Sequence, residues 1–216
     1  MPQVEPASAS EFIPEHATPR ALREAIQSCR GCGLYARATQ AVFGEGPYTA
    51  EIMLIGEQPG DEEDRQGHPF VGPSGKLLDR ALADAGIDRS AVYVTNAVKH
   101  FKFEERGKRR LHKKPSGLEI RACRPWLEAE INLIQPRIIV CLGATAAQSI
   151  FGNTYRLTKE RGEFVRNSWA PHATSTVHPS AILRAPDEEQ RHAAYAEFVS
   201  DLKKVQRVWK SLRKSA

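Results

Sequence analysis

The chain has 216 residues and a mass of 24.0 kDa, enough for one α/β domain with a full core. No apolar run reaches the length of a membrane span, and Met1–Glu15 lacks the basic segment and apolar stretch of a secretory leader, so a soluble, intracellular (cytoplasmic) protein is expected. The formal net charge of +5 and an isoelectric point near 9.1 point instead to a polyanionic partner.

Residues 1–18 are rich in Pro, Ala, Ser and Glu and are expected to form a mobile arm, with a single domain over 19–213. The spacing of Leu22 and Ile26 predicts a helix over 19–28 that leads into Cys29. The apolar run 51–56 (EIMLIG) ends in glycine and reads as a buried strand. Leu77, Leu78, Ala81 and Leu82 predict a helix over 74–85 that Gly86 terminates. Residues 91–94 read as a strand, 117–134 as a helix broken or bent near Pro125, and 137–142 (RIIVCL) as a third buried strand. A helix over 143–151, a strand over 173–177 and a long closing helix over 187–212 complete the pattern. This alternation predicts a three-layer αβα sandwich around a central, mainly parallel four-stranded sheet with right-handed crossovers. No internal repeat is present.

In such sheets the chemistry sits beyond the carboxyl ends of the strands. The residues there are Glu57-Gln58-Pro59-Gly60, Thr95-Asn96, Gly143 and His178-Pro179-Ser180, so one edge gathers a carboxylate, two amides and an imidazole. The four cysteines, Cys29-x2-Cys32 and then Cys123 and Cys141, close a tetrahedral thiolate cage only if the fold joins distant segments. That cage suits zinc or an iron–sulfur cluster. Two disulfides or four unrelated buried thiols are the competing readings. Lys99 to Ser116 carries eight Lys or Arg and two Glu, a net of +6 that leaves −1 for the rest of the chain. The basicity is therefore one loop, which favours contact with a phosphate backbone without reading its sequence. A merely solvated loop is the alternative.

Five ordered motifs connect these features: Gly44-Glu45-Gly46, Ile55 to Gly60, Gly67 to Gly75 (GHPFVGPSG), Thr95-Asn96-Ala97-Val98-Lys99, and His178 to Arg184 (HPSAILR). With the cysteine spacing they resemble the iron–sulfur (family 4-like) uracil-DNA glycosylases over nearly all of residues 20–205. Hydrolytic members usually carry a small residue where Gln58 stands and a short connection where this chain inserts 101–116. Gln58 and the sequence Lys108-Arg109-Arg110-Leu111-His112-Lys113-Lys114 look like the UdgX group. The resemblance implies a uracil-DNA glycosylase-like fold and a [4Fe–4S] cluster on Cys29, Cys32, Cys123 and Cys141. It implies a monomer that acts on uracil-containing DNA and no membrane. It also implies covalent joining of the protein to the DNA it depyrimidinates, through the histidine matching His112.

Taking a base out of the stack costs less in single strands than in duplex, so single strands are the favoured substrate. Phe70 is suited to stack on the extruded ring, with core packing as its alternative role. The Asn96 amide donates and accepts together, which matches the O4 and N3–H edge of uracil and rejects the reversed edge of cytosine. Gln58 and Asp61 are expected in the same uracil pocket, Gln58 through its side chain or its backbone. By family position His178 donates to the departing O2, where negative charge develops. His112 is expected to attack the sugar C1′ in place of water, while Glu57 holds its other nitrogen. A phosphate contact is the alternative for His112. Lys108, Arg109, Arg110, Lys113, Lys114, Ser180 and Arg184 are the expected DNA-backbone contacts. Two other outcomes stay open: a hydrolytic, multiple-turnover glycosylase, and a non-catalytic iron–sulfur DNA-binding or redox-sensing module.

Overall fold

The computed structural model describes residues 8–214. Helix α1 (Pro19–Ala25) and a 3-10 turn (Ile26–Ser28) precede strand β1 (Ile52–Gly56). Helices α2 (Asp61–Gln66) and α3 (Pro73–Asp84) connect it to β2 (Val92–Asn96). A hairpin of β3 (Phe103–Arg106) and β4 (Arg109–His112) follows, then α4 (Gly117–Ile134) and β5 (Ile138–Leu142). Helices α5 (Ala144–Phe151) and α6 (Leu157–Glu160), strand β6 (His172–Thr176), α7 (Pro179–Leu183) and α8 (Glu188–Lys214) complete the chain.

Strands β2-β1-β5-β6 form one parallel sheet, in that order. Every residue of β1, β2 and β5 is buried, which is why they read as continuous apolar runs and not as alternating ones. Successive side chains point to opposite faces. Ile52, Leu54, Val94 and Val140 meet α3, α7 and α8 through Leu78, Leu82, Ile182, Phe198 and Leu202. Met53, Ile55, Tyr93 and Ile139 meet α4 and α5 through Leu127, Ile131, Ala146 and Ala147. The result is the expected helix–sheet–helix sandwich. A third cluster joins Leu22, Ile26, Phe43 and Val98 to Trp126 of α4.

Three expectations meet a different outcome. Residues 1–7 of the expected arm lie outside the described residues, whereas Ala9–Phe12 of it forms a 3-10 turn whose Ala9 is buried in the third cluster. Helix α4 runs unbroken through Pro125, because the hydrogen bond that proline forgoes would have gone to the carbonyl of Arg121, an exposed residue. The basic segment is a hairpin and not a loop. Gly107-Lys108 links the paired Arg106 and Arg109, and Gly107, at φ 60°, takes the left-handed first position of a two-residue turn.

The topology also locates a crevice. The chain passes from β1 to β2 on one side and returns to place β5 on the other. Ligands in open α/β sheets bind at such a reversal, beyond the strand ends. Here it falls between β1 and β5.

Candidate active site

Glu57 follows β1 directly, and Thr145 lies in the first turn of α5, just past β5. They meet at the crevice, where the Thr145 hydroxyl donates to Glu57 Oε2 at 2.5 Å. From the opposite side His112 brings Nε2 to 3.3 Å from Glu57 Oε1. Burial alone would push the Glu57 carboxyl up, but hydrogen bonds from His112 and Thr145 hold it below the usual carboxylate range. The crevice thus contains a fixed anion near neutral pH.

His112 reaches this carboxylate because the hairpin is tied down. Alternation along β4 puts Arg110 and His112 on one face of the hairpin, Arg110 partly buried and His112 about half exposed, while Leu111 faces the other way. Arg110 pairs with Asp61 at 2.5 Å and with the fully buried Asp64 at 2.6 Å, and its guanidinium lies over the Phe101 and Phe103 rings. Thr39 fixes the Asp64 carboxylate from the other side through its N–H and hydroxyl. Gln58 bridges both feet of the hairpin. Its Nε2 donates to the Lys102 and Lys113 carbonyls, each at 3.1 Å, and its Oε1 accepts from the Lys102 N–H at 3.2 Å. The side chains of Gln58 and Asp61 therefore anchor the hairpin. Arg110 likewise serves as an internal tie, with its charge spent on two aspartates.

Phe70, Asn96 and His178 gather around the end of β1. Phe70 adopts a left-handed φ of 58°, a conformation that costs about 1–3 kcal/mol for such a residue, and its ring stacks on His178 at 6.2 Å. A Cβ at Gly56 would come within 2.3 Å of Asn96 Oδ1 and 2.7 Å of Phe70 Cζ, so only glycine ends β1 without striking them. The Asn96 amide is buried yet makes no hydrogen bond to another described residue. Its recognition edge is left open. Its backbone carbonyl accepts from the Lys99 ammonium at 2.8 Å. Lys99 is fully buried and paired with Glu130, which also accepts from the Gly44 N–H, Tyr93 and Thr95.

His178 Nδ1 accepts the Ser180 N–H at 3.1 Å, with the Ser180 hydroxyl 2.8 Å away. A nitrogen that accepts an N–H carries no proton, so the ring hydrogen of the neutral form resides on Nε2. Burial pushes the His178 pKa down to about 4, with Arg184 and His112 adding to the effect and Glu57 opposing it. The imidazole is therefore a neutral donor at pH 7. Ser180, expected at a phosphate, holds this ring instead.

The remaining expected DNA contacts differ from one another. Lys108 and Arg109 sit exposed at the hairpin tip, and among the described residues no carboxylate pairs with them or with Lys114. Lys113 is paired with Glu104 at 2.6 Å. Arg184 caps α7 and is exposed, close enough to His178 to lower its pKa.

Three of the four cysteines share one neighbourhood, although among the described residues no three His, Cys, Asp or Glu side chains are grouped as a metal cage. Cys29, Cys32 and Cys123 share the third cluster. Two N–H groups donate to their sulfurs: Trp126 Nε1 to Cys29 Sγ at 3.1 Å, and the Lys99 amide to Cys123 Sγ at 3.3 Å. Such donors suit thiolates of a metal or cluster site. Cys141 does not join them, and its expected ligand role is corrected. It points from β5 into the α4–α5 face, between Ile55 and Ser175. Strand β5 lies two strands, about 10 Å, from β2, beyond whose end Lys99 meets Cys123. Burial raises its thiol and no other cysteine influences it.

Thr145, Asp64 and the Lys99–Glu130 pair were absent from the sequence reading. Thr145 stands two residues past the strand-end glycine, so listing only the first residue after β5 passes over it.

The carboxyl edge of this open parallel sheet thus gathers a carboxylate, a neutral imidazole donor, an amide and an aromatic face on an α/β fold. Residues 43–203 match the uracil DNA glycosylase superfamily, and the chain belongs to that family. It is 38% identical over 169 residues to the type-4 uracil-DNA glycosylase of Thermotoga maritima, covering 78% of this chain and 84% of the relative. The type-4 enzyme of Sulfurisphaera tokodaii is 38% identical over 174 residues, or 77% and 76% of the two chains. That of Archaeoglobus fulgidus is 36% identical over 188 residues, or 83% and 87%.

Proposed function

We propose that this protein excises uracil from DNA, favouring single strands, and then becomes covalently linked to the deoxyribose C1′ through His112. The observation that carries this reading is the 3.3 Å approach of His112 Nε2 to the ionised Glu57 at the reversal of the sheet. Its support is the family membership together with the open Asn96 edge and the neutral His178 donor.

In this reading the extruded uracil stacks on Phe70 and pairs its O4 and N3–H with the Asn96 amide. As the C1′–N1 bond breaks, its electron pair leaves with uracil, and His178 Nε2–H donates to the developing charge on O2. The sugar becomes oxocarbenium-like, and Glu57 stabilises it. The ring nitrogen that Glu57 does not hold then gives its lone pair to C1′, while Glu57 accepts the hydrogen bond, and in the end the proton, of the other nitrogen. Uracil is protonated from solvent. An imidazole bonded to C1′ is a poor leaving group near neutral pH, so turnover stops at one adduct. An iron–sulfur cluster held by Cys29, Cys32 and Cys123 would tie the N-terminal segment to α4 and supply no redox step at the base.

The test is a uracil-containing single-stranded oligonucleotide, followed by denaturing electrophoresis and counting of free uracil. Expected are a shifted band mapping to His112 and uracil released in a one-to-one ratio to protein. His112→Ala should give no shifted band while still releasing uracil, with water admitted beside Glu57. Uracil in excess of wild-type protein supports a hydrolytic glycosylase instead. An adduct formed by His112→Ala rejects the nucleophile.

A further inference from the structure

A cavity of about 290 Å³ opens beside Thr145, between the first half of α4 and the second half of α5. Nothing in the reaction above uses it. Thr145 forms part of its wall, so the cavity is one side chain away from Glu57. Lys114 and Pro115, which directly follow the hairpin foot held by Gln58, form its rim. Its floor is apolar, with Ile120 and Leu127, and Gln148 places an amide at its edge.

Charge narrows the choice of occupant. Neighbouring Arg124 is neutralised by Glu128 at 2.8 Å and lies over the Trp169 ring. Lys114 and Arg121 have no carboxylate within ion-pairing distance among the described residues. Two uncompensated cations above an apolar floor with an amide edge match an anionic group attached to a flat, polar-edged ring. The volume suits one nucleobase with its sugar and not a longer segment.

We infer that this cavity receives the nucleotide adjoining the extruded deoxyuridine on the same strand, with its phosphate on Lys114 and Arg121 and its base on Ile120 and Leu127. The inference rests on the function proposed above, which delivers a single strand with its sugar at Glu57. A neighbour already out of the helical stack then finds an apolar surface in place of its lost stacking partner. Arg121 and Gln148 act as binding residues one nucleotide away from the chemistry.

The experiment compares single-stranded oligonucleotides in which uracil is internal, 5′-terminal or 3′-terminal. For wild type, removing the neighbour on one side should lower the single-turnover second-order rate constant of uracil release about tenfold, through weaker DNA binding, the size of one charge-assisted phosphate contact. With Arg121→Ser the ratio between internal and truncated substrates should collapse to about one, and Arg121→Lys should restore most of it. The slope of the logarithm of that rate constant against log salt should fall by about one in Arg121→Ser. Arg121 is exposed, so its replacement leaves the core intact. A wild type indifferent to both truncations, or an Arg121→Ser loss equal on all three substrates, overturns the subsite while the glycosylase reading survives. If no substrate releases uracil, the glycosylase reading fails, and the subsite fails with it.

Discussion

The Lys99–Glu130 pair offers a sharp test of how the base-reading edge is held in place. Both side chains are fully buried, and the ammonium also donates to Thr95 and to the Asn96 carbonyl. Removing one partner of a buried pair leaves an uncompensated charge, typically at a cost of about 3–5 kcal/mol. After Lys99→Met, Glu130 keeps the Gly44 N–H at 2.7 Å, Thr95 at 2.8 Å and Tyr93 at 3.2 Å. The loss should therefore fall at the lower end, about 3 kcal/mol. For a domain of this size that lowers the melting temperature by about 6–12 °C. The double variant Lys99→Met with Glu130→Gln replaces the stranded charge with a neutral amide among the same donors, and should recover to within about 1–2 kcal/mol of wild type. Thermal and urea unfolding measure both. Where the single variant remains folded, the slackened Asn96 carbonyl should appear as a higher half-saturating concentration of uracil-containing DNA in single-turnover assays, with the maximal rate of uracil release less affected. A single-variant loss below about 1 kcal/mol, or a double variant no more stable than the single, would refute this account.

Two further expectations concern protons and metal. His178 is held neutral, at about 4 against an ordinary 6.5, so between those values the unfolded chain binds a proton that the folded chain refuses. Stability contributed by the neutral ring is thus complete above pH 6.5 and declines as pH falls toward 4. His178→Gln should lessen the slope of stability against pH in that window by up to one proton, and an unchanged slope contradicts the burial of a neutral ring. For the cysteines, Cys123→Ser should abolish the visible absorption of a bound cluster and Cys141→Ala should retain it. A colourless Cys141→Ala protein would place that sulfur back in the ligand set, and a colourless, zinc-loaded native preparation would dismiss the cluster.

Much of the architecture was legible because parallel strands buried on both faces leave unmistakable signatures. EIMLIG and RIIVCL needed no tertiary information, and the strand-end rule then singled out Glu57, Asn96 and His178. What stayed hidden depends on partners far apart in the chain. The hairpin over 103–112 reads as a basic, phosphate-contacting loop because its stability comes from Arg110 meeting Asp61 and Asp64, and from Gln58 spanning its feet, instead of from an apolar face. Asp61 reads as a uracil-pocket residue and Arg110 as a DNA-backbone contact for the same reason, since a charge looks free until its counter-charge is located. Cys141 failed differently. Cysteine spacing along the chain says nothing about which face of a strand each sulfur takes, and in β5 the alternation sends Cys141 toward α5.

Under the proposed function, the seating of the hairpin would decide between trap and hydrolase. Glu57 has two oxygens, one occupied by Thr145 and the other facing His112. Whatever occupies that second oxygen is oriented for attack on the sugar, and it cannot be a ring and a water at once. With the hairpin tied by Arg110 and Gln58, the imidazole is in place before any DNA arrives, so capture incurs little ordering cost at the moment the sugar becomes electrophilic. Loosening the tie without touching His112 should then shift the balance toward water. In the proposed reaction, nucleophile choice would then depend on Asp64 and Gln58, residues remote from the bond that breaks, as much as on the histidine proposed to form the new one.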